Sequence, residues 1–364
     1  MNRYEGFSER QQEIFSKIDR YGTDGITKSD VMELVGFLNT EDSRLQDVTS
    51  DALVSVASDG DFGDEVVSSL LSFIENESNT GRQAAVKIIG AIVVESSSAY
   101  VDSDEVEALG NYLGEDDWEI RTAVLYTIRK IGAHYPESVT STGCMENITL
   151  LLEGKNPIVR QEAAKSLGII GVKNASLVEE VGGVVNIISS LEDPDSAVRW
   201  NAAEAVRMIC ISHPTLVKEE TVINSLTNHM HDENGNVQRE VLRTLGCICT
   251  TTPSILTSGE TLNELVALIT EEGGQNKAIA SIVILAIESE FQPSIIEQAQ
   301  QIIRTHLQEE KEPRHVLEFI RQLSRVDPTI ISSFHEEIEN YSDVPDDELQ
   351  RTAQEILDNS SLDR

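Results

Sequence analysis

The chain has 364 residues, with 63 Asp or Glu against 28 Lys or Arg and a formal net charge of -35. That charge argues against a general phosphate-binding surface, which needs Lys and Arg to neutralise phosphates, and against adhesion to anionic lipid. At 40% hydrophobic residues the chain is no disordered acidic tail, and it is long enough for a large core.

The opening MNRYEGFSERQQEIF has no apolar h-region, so no secretory signal is expected. No apolar run approaches the ~18 residues of a membrane helix. Four cysteines, none in a Cys-x-x-Cys pair, are too few for a disulfide framework. The expectation is a soluble, cytoplasmic protein.

A leading helix is predicted over Ser8 to Arg20. The stretch from Ile18 resembles a calcium loop over residues 19–30, with Asp19 first, Thr23 fifth and Asp30 last. Tyr21 stands third, however, and Asp24 sixth, where the sharp turn wants Gly; the pattern is poor and leaves calcium open. The same stretch also looks like the opening of a helix-turn-helix, with Gly25 in the turn and Thr27 as cap. The helix from Arg44 carries Asp47 and Asp51 in place of base-reading residues. A capping helix followed by a first hairpin, from Lys28 and from Arg44, is the preferred reading.

From there the chain repeats. TGRQAAVKIIGAI from Thr80 recurs as EIRTAVLYTIRKI from Glu119, IVRQEAAKSLGII from Ile158, AVRWNAAEAVRMI from Ala197 and NVQREVLRTLGCI from Asn236. One polar position falls at Arg82, Arg121, Arg160, Arg199, Gln238 and Lys277, in steps of 39 residues. Counting from it, positions +3, +4, +7 and +10 are apolar, as in Ala163, Ala164, Leu167 and Ile170: one face of a helix. A first helix upstream shows Val67, Leu70 and Ile74 at i, i+3 and i+7, repeated as Val106, Leu109, Leu113 and as Met145, Ile148, Leu152. Gly114, Gly154, Pro194 and Gly235 stand between the two helices. Such a hairpin cannot bury its apolar face alone and must stack on its neighbours.

PIVRQEAAKSLG from Pro157 and SAVRWNAAEAVR from Ser196 resemble the HEAT-repeat family. The resemblance implies an all-α, right-handed α-solenoid of about eight stacked hairpins, with second helices lining the concave face. The expected organisation is a capping helix and first hairpin over 1–58, six regular repeats over 59–290 and two divergent hairpins over 291–364. The last two are read from Ile295 with Arg314 and from Thr329 with Asp346. The family mostly serves protein binding and implies no chemistry. The 10 Lys against 18 Arg, with abundant acid, resemble cytosolic proteins of salt-in halophilic archaea, and the excess acid then reads as solvation in salt.

Charge is sorted by helix. Five first-helix windows hold eight acidic and no basic residues, whereas the five second-helix windows hold eleven basic and four acidic. A basic inner ridge suggests a groove for an acidic or carboxylate-bearing partner segment. Position +5, pointing furthest from the apolar face, holds Lys87, Tyr126, Lys165, Glu204 and Arg243; position +1 includes Trp200 and Arg239. Position +8 alternates Gly90, Arg129, Gly168, Arg207 and Gly246. The candidate partner-binding residues are Tyr126, Arg129, Lys165, Trp200, Arg207, Arg239 and Arg243. The competing reading is architectural: the repeated Arg pairs with the acid six residues earlier, as at Glu115, Asp193 and Asp232, and a +8 Arg packs over the next repeat's Gly. In ~1 M salt only direct contacts such as bidentate Arg–carboxylate pairs persist.

His229 and His231 lie on different sides of a helix, against shared metal ligation. Cys210 and Cys249 occupy a column where Gly132 and Gly171 stand elsewhere, a small-residue packing site, and Cys247 has no evident His partner. No phosphate-binding Gly loop, Ser nucleophile elbow or spaced carboxylate pair is found, so neither enzyme chemistry, cofactor nor metal is expected. The expected function is a non-catalytic cytosolic scaffold or adaptor binding a protein partner along the second-helix ridge. Two alternatives stand beside it. The repeats look like those of the phycobilin-lyase group, which implies a tetrapyrrole-handling, enzyme-associated role. They also resemble HEAT-like alkylpurine glycosylases, which implies a nucleic-acid adaptor.

Overall fold

Four of the second helices begin where an Asx side chain supplies the acceptor that first-turn amides lack. Asp117 accepts from the Glu119 and Ile120 amides, Asn156 from Ile158, and Asp195 from Ala197 and Val198. Asn234 does the same for Asn236 and Val237. The computed structural model describes residues 3–59, 62–76, 80–95, 103–139, 142–214, 220–251, 259–270, 276–287, 291–308, 313–324 and 334–361. Among them there is no β-strand, and no helix is long and apolar enough to cross a membrane.

Packing divides the chain into two units, Met1–Gly183 and Val184–Arg364. The first opens with α1 (Glu9–Tyr21), α2 (Lys28–Gly36) and α3 (Ser43–Asp59). Ser8 with Gln11, and Thr27 with Asp30, form reciprocal capping boxes on α1 and α2. Gly22, at φ 57°, ends α1. Tyr4, Phe7 and Phe15 pack ring to ring beneath this cap, with centroids 5.3 to 6.4 Å apart. Then come α4 (Gly63–Glu75), α5 (Arg82–Glu95), α6 (Ser103–Asn111), α7 (Trp118–His134), α8 (Thr142–Leu150), α9 (Pro157–Lys173) and the short α10 (Ala175–Glu180).

The second unit holds α11 (Gly183–Ser189, straddling the boundary), α12 (Ser196–Ser212), α13 (Glu220–Asn228), α14 (Gly235–Thr251), α15 (Gly259–Thr270) and α16 (Lys277–Ala286). It ends with α17 (Pro293–Gln308), α18 (Pro313–Ser324), α19 (His335–Glu339) and α20 (Asp347–Ser361). The predicted opening of the last hairpin, at Thr329, lies outside the described residues.

The apolar columns are the core. Val124, Leu125, Ile128 and Ile131 of α7, Ala163, Ala164, Leu167 and Ile170 of α9, and Ala202, Ala203, Val206 and Ile209 of α12 are all buried. So are the first-helix columns at Val67, Val106, Met145 and Ile223, and at Leu70, Leu109, Ile148, Ile187 and Leu226. First helices close on a tight 3-10 turn, at Tyr112–Gly114, Leu151–Glu153, Ser190–Glu192 and His229–His231. Second helices are tied by hydroxyls at +6. Thr127 donates to Val86 O at 2.8 Å, Ser166 to Leu125 O at 3.2 Å and Thr244 to Ala203 O at 3.2 Å. Each satisfies a buried hydroxyl across the stack.

Candidate partner-binding face

The repeated Arg does pair with acids, but not with those six residues earlier. Arg82 donates to Ile74 O at 2.7 Å and clasps Glu115, 33 residues later. Arg199 donates to the Asp193 and Pro194 carbonyls at 2.9 and 3.3 Å. It also grips Asp232 with two prongs, Nε at 2.7 Å and Nη2 at 2.9 Å. Asp193, six residues before Arg199, offers it only a carbonyl, while its carboxylate accepts from the Asp195 amide at 2.8 Å. Burial would raise the Asp232 carboxyl, but Arg199 and the Asn234 amide outweigh it and hold the pKa below its ordinary value. Arg121 was expected to pair with Glu115; that carboxylate belongs to Arg82 instead.

The +8 arginines form a second set of ties. Arg129 Nη2 donates to Glu162 at 3.2 Å, and Arg207 Nε to Glu240 at 2.8 Å; each is nearly buried. Neither bond is the expected packing over a glycine. Gly246 faces Phe319 instead, whose ring leaves no room for a β-carbon. Glu240 also accepts from Arg243 Nη1 at 2.8 Å. Arg243 is 8% exposed and donates to His315 O at 3.2 Å, while Arg239 Nη1 meets His315 Nε2 at 3.1 Å and Arg239 Nε donates to Asn276 at 3.3 Å. The chain's own α18 thus lies against this part of the ridge.

The remaining ridge residues differ. Lys87 is exposed, Lys165 is half-buried, and neither forms an ion pair among the described residues. Between them in the +5 column stands Tyr126, 38% exposed. Arg129 and Lys130 lie over its ring, 5.1 and 5.5 Å from the centroid. In the second unit, Trp200 is half-buried on α12. A groove of about 630 Å³ runs between α3 and α5, lined among others by Asp47, Asp51, Lys87, Ile88 and Glu95. The exposed second-helix face of the first unit therefore passes from acidic on α3 to basic on α5, α7 and α9. Lys130 and the ladder acids Glu162 and Glu240 were not singled out from sequence, although each stands at a fixed position in its repeat.

The other candidates have local partners. Asp19 accepts from Tyr4 Oη at 2.6 Å, and burial together with Asp19 pushes that phenol up to about 12. Asp30, 2% exposed, accepts from Thr27 Oγ1 and N–H and from Arg10 at 2.8 to 3.0 Å. Burial would raise its pKa, but those bonds and Lys17 keep it low. His229 Nδ1 sits 2.8 Å from Ser225 O, and His231 Nε2 sits 2.7 Å from Glu264. Cys210 and Cys247 are buried, with thiols pushed up by burial, Cys247 to about 11; the Cys249 side chain lies outside the described residues. Among the described residues no group of three or more His, Cys, Asp or Glu is placed to hold a metal.

Residues 145–245 match the family model described as HEAT repeats. No curated protein matches the chain. Among solved structures, an engineered protein superposes with a TM-score of 0.54 at 16% identity, over 97% of this chain and 99% of its own. A second engineered protein gives 0.47 at 21% identity, over 72% and 97%. A designed armadillo repeat protein in complex with the peptide (KR)4 gives 0.47 at 17% identity, over 60% and 99%. The first likeness bears on fold alone, and with the stacked hairpins it makes this chain an all-α repeat solenoid.

Proposed function

We propose that the chain is a non-catalytic scaffold or adaptor, working in the cytosol, that holds an acidic, carboxylate-bearing segment of a partner protein on its second-helix face. The contacts are Lys87, Tyr126, Lys130 and Lys165 in the first unit, and Arg129, tied to Glu162, supports the Tyr126 ring. One observation carries this reading: the ridge arginines are bonded within the chain, while Lys87 and Lys165 flank an exposed Tyr126 without ion pairs of their own. Cations around an aromatic ring suit a carboxylate partner at close range, where salt does not screen the contact. The four cations of this face and the formal net charge of -35 leave too few Lys and Arg to neutralise a run of phosphates, which weighs against the nucleic-acid alternative. The acid excess is assigned to solvation in concentrated salt.

The test is affinity purification of the tagged chain from its native source at native salt, beside the Lys87→Glu, Tyr126→Ala, Lys165→Glu triple variant. The expected result is one or more stoichiometric partners lost in the variant. A partner retained at full yield by a folded variant sinks the proposal. Charge reversal at Arg239 or Arg243 is no substitute, because it would break their bonds to His315.

A further inference from the structure

The ladder of Arg–acid ties has a gap. Arg82 and Arg199 each reach a carboxylate 33 residues on; for Arg121 the residue at that place is Gly154. Its side chain forms no hydrogen bond or ion pair among the described residues, and its Nε is enclosed without a partner. Gly154 runs at φ -64°, ψ 155°, matching Glu115 at φ -68°, ψ 154°. The backbone seat for an acid is kept while the acid itself is missing. A guanidinium in this position favours a planar, two-pronged carboxylate, and its half-burial weakens competition from water.

The surroundings add affinity of a second kind. Trp118 lies three residues before Arg121, on the same face of α7, and is 39% exposed; Ile158, in the first turn of α9, is 44% exposed. Lys155, exposed beside Gly154, adds a cation. Asp116, Glu119 and Glu153 are near in sequence, yet none bonds to Arg121. An unpaired Arg beside an exposed Trp has the composition of an interface anchor.

We infer that this patch, at the turn edge of the first unit, docks a partner peptide that supplies the missing acid. An Asp or Glu side chain seats on Arg121, and apolar neighbours in the peptide cover Trp118 and Ile158. The site is separate from the Lys87–Tyr126–Lys165 row and stands or falls without it.

The test selects a displayed random peptide library on the wild-type chain, then measures the best peptide by fluorescence anisotropy. Enriched peptides should carry an acid beside Leu, Trp or Phe. Changing that acid to its amide, or Arg121→Ala, should weaken binding about ten- to a hundredfold. Gly154→Glu should do the same from the other side: the new carboxylate fills the seat, raises the melting temperature and blocks the peptide. Lys87→Ala with Lys165→Ala should leave binding unchanged. Enrichment without acids, no enrichment, full binding to Arg121→Ala or Gly154→Glu, or loss only in the Lys87/Lys165 variant each overturns the inference.

Discussion

Arg199 and Asp232 are 9% and 4% exposed at their side chains, so each depends on the other to be charged where it is. Removing one partner of such a pair leaves a buried charge unpaired, at a cost of roughly 3–5 kcal/mol. Asp232→Ala should therefore lower the urea midpoint sharply. Glu348→Ala, which cuts an exposed pair with Arg314, should shift it far less, because solvent screens an exposed pair. The depressed pKa of Asp232 sets the sign of its pH dependence. Its contribution is present above the unfolded carboxyl pKa of about 4 and is lost as pH falls through the folded value. Acid titrations of wild type and Asp232→Asn should accordingly converge below that point and diverge above it. The pairing itself was only half legible in sequence. In a 39-residue repeat the acid six before an Arg and the acid 33 after it occupy the same column, so periodicity identifies the column but not the copy that donates. Only the three-dimensional stacking, which brings the carboxylate of the following copy to Arg82 and to Arg199, decides it.

At the level of helices, the apolar columns were readable because burial follows the helical period directly. What was not readable is what covers the ends. Arg239 and Arg243 read as exposed from their own helix, and the long-range packing of α18 onto α14 gives both a partner in His315 and helps to bury Arg243. Gly246 reports that contact: a β-carbon there would come within 2.3 Å of Phe319 Cζ. Gly246→Ala should push α18 away at a cost of roughly 1–3 kcal/mol, seen as faster amide exchange in Pro313–Ser324 with α5 and α7 unaffected. The Asx caps offer a smaller, repeatable handle. Asp195→Ala should cost about 1 kcal/mol, measurable by thermal denaturation, because two first-turn amides of α12 lose their acceptor.

For the whole chain, a net charge of -35 means mutual repulsion among acids that the internal ladders do not absorb. Screening should relieve it, so the melting temperature should rise as KCl increases from ~0.1 M toward ~1 M, where the Debye length falls to about 3 Å. A chain whose folded state leaned on exposed ion pairs would show the opposite slope. The contribution of Arg199–Asp232 should persist at high salt, because buried pairs are screened far less.

The ladder ties also bear on how such a chain changes length. A hairpin that presents an Arg to the copy after it and a carboxylate to the copy before it, as Arg82 meets Glu115 and Arg199 meets Asp232, is a link with matching ends. Adding or removing one whole link rejoins donor to acceptor and strands no charge, whereas an insertion of any other size breaks two bonds at once. Lengthening by duplication is thus cheap in whole links and costly in fractions.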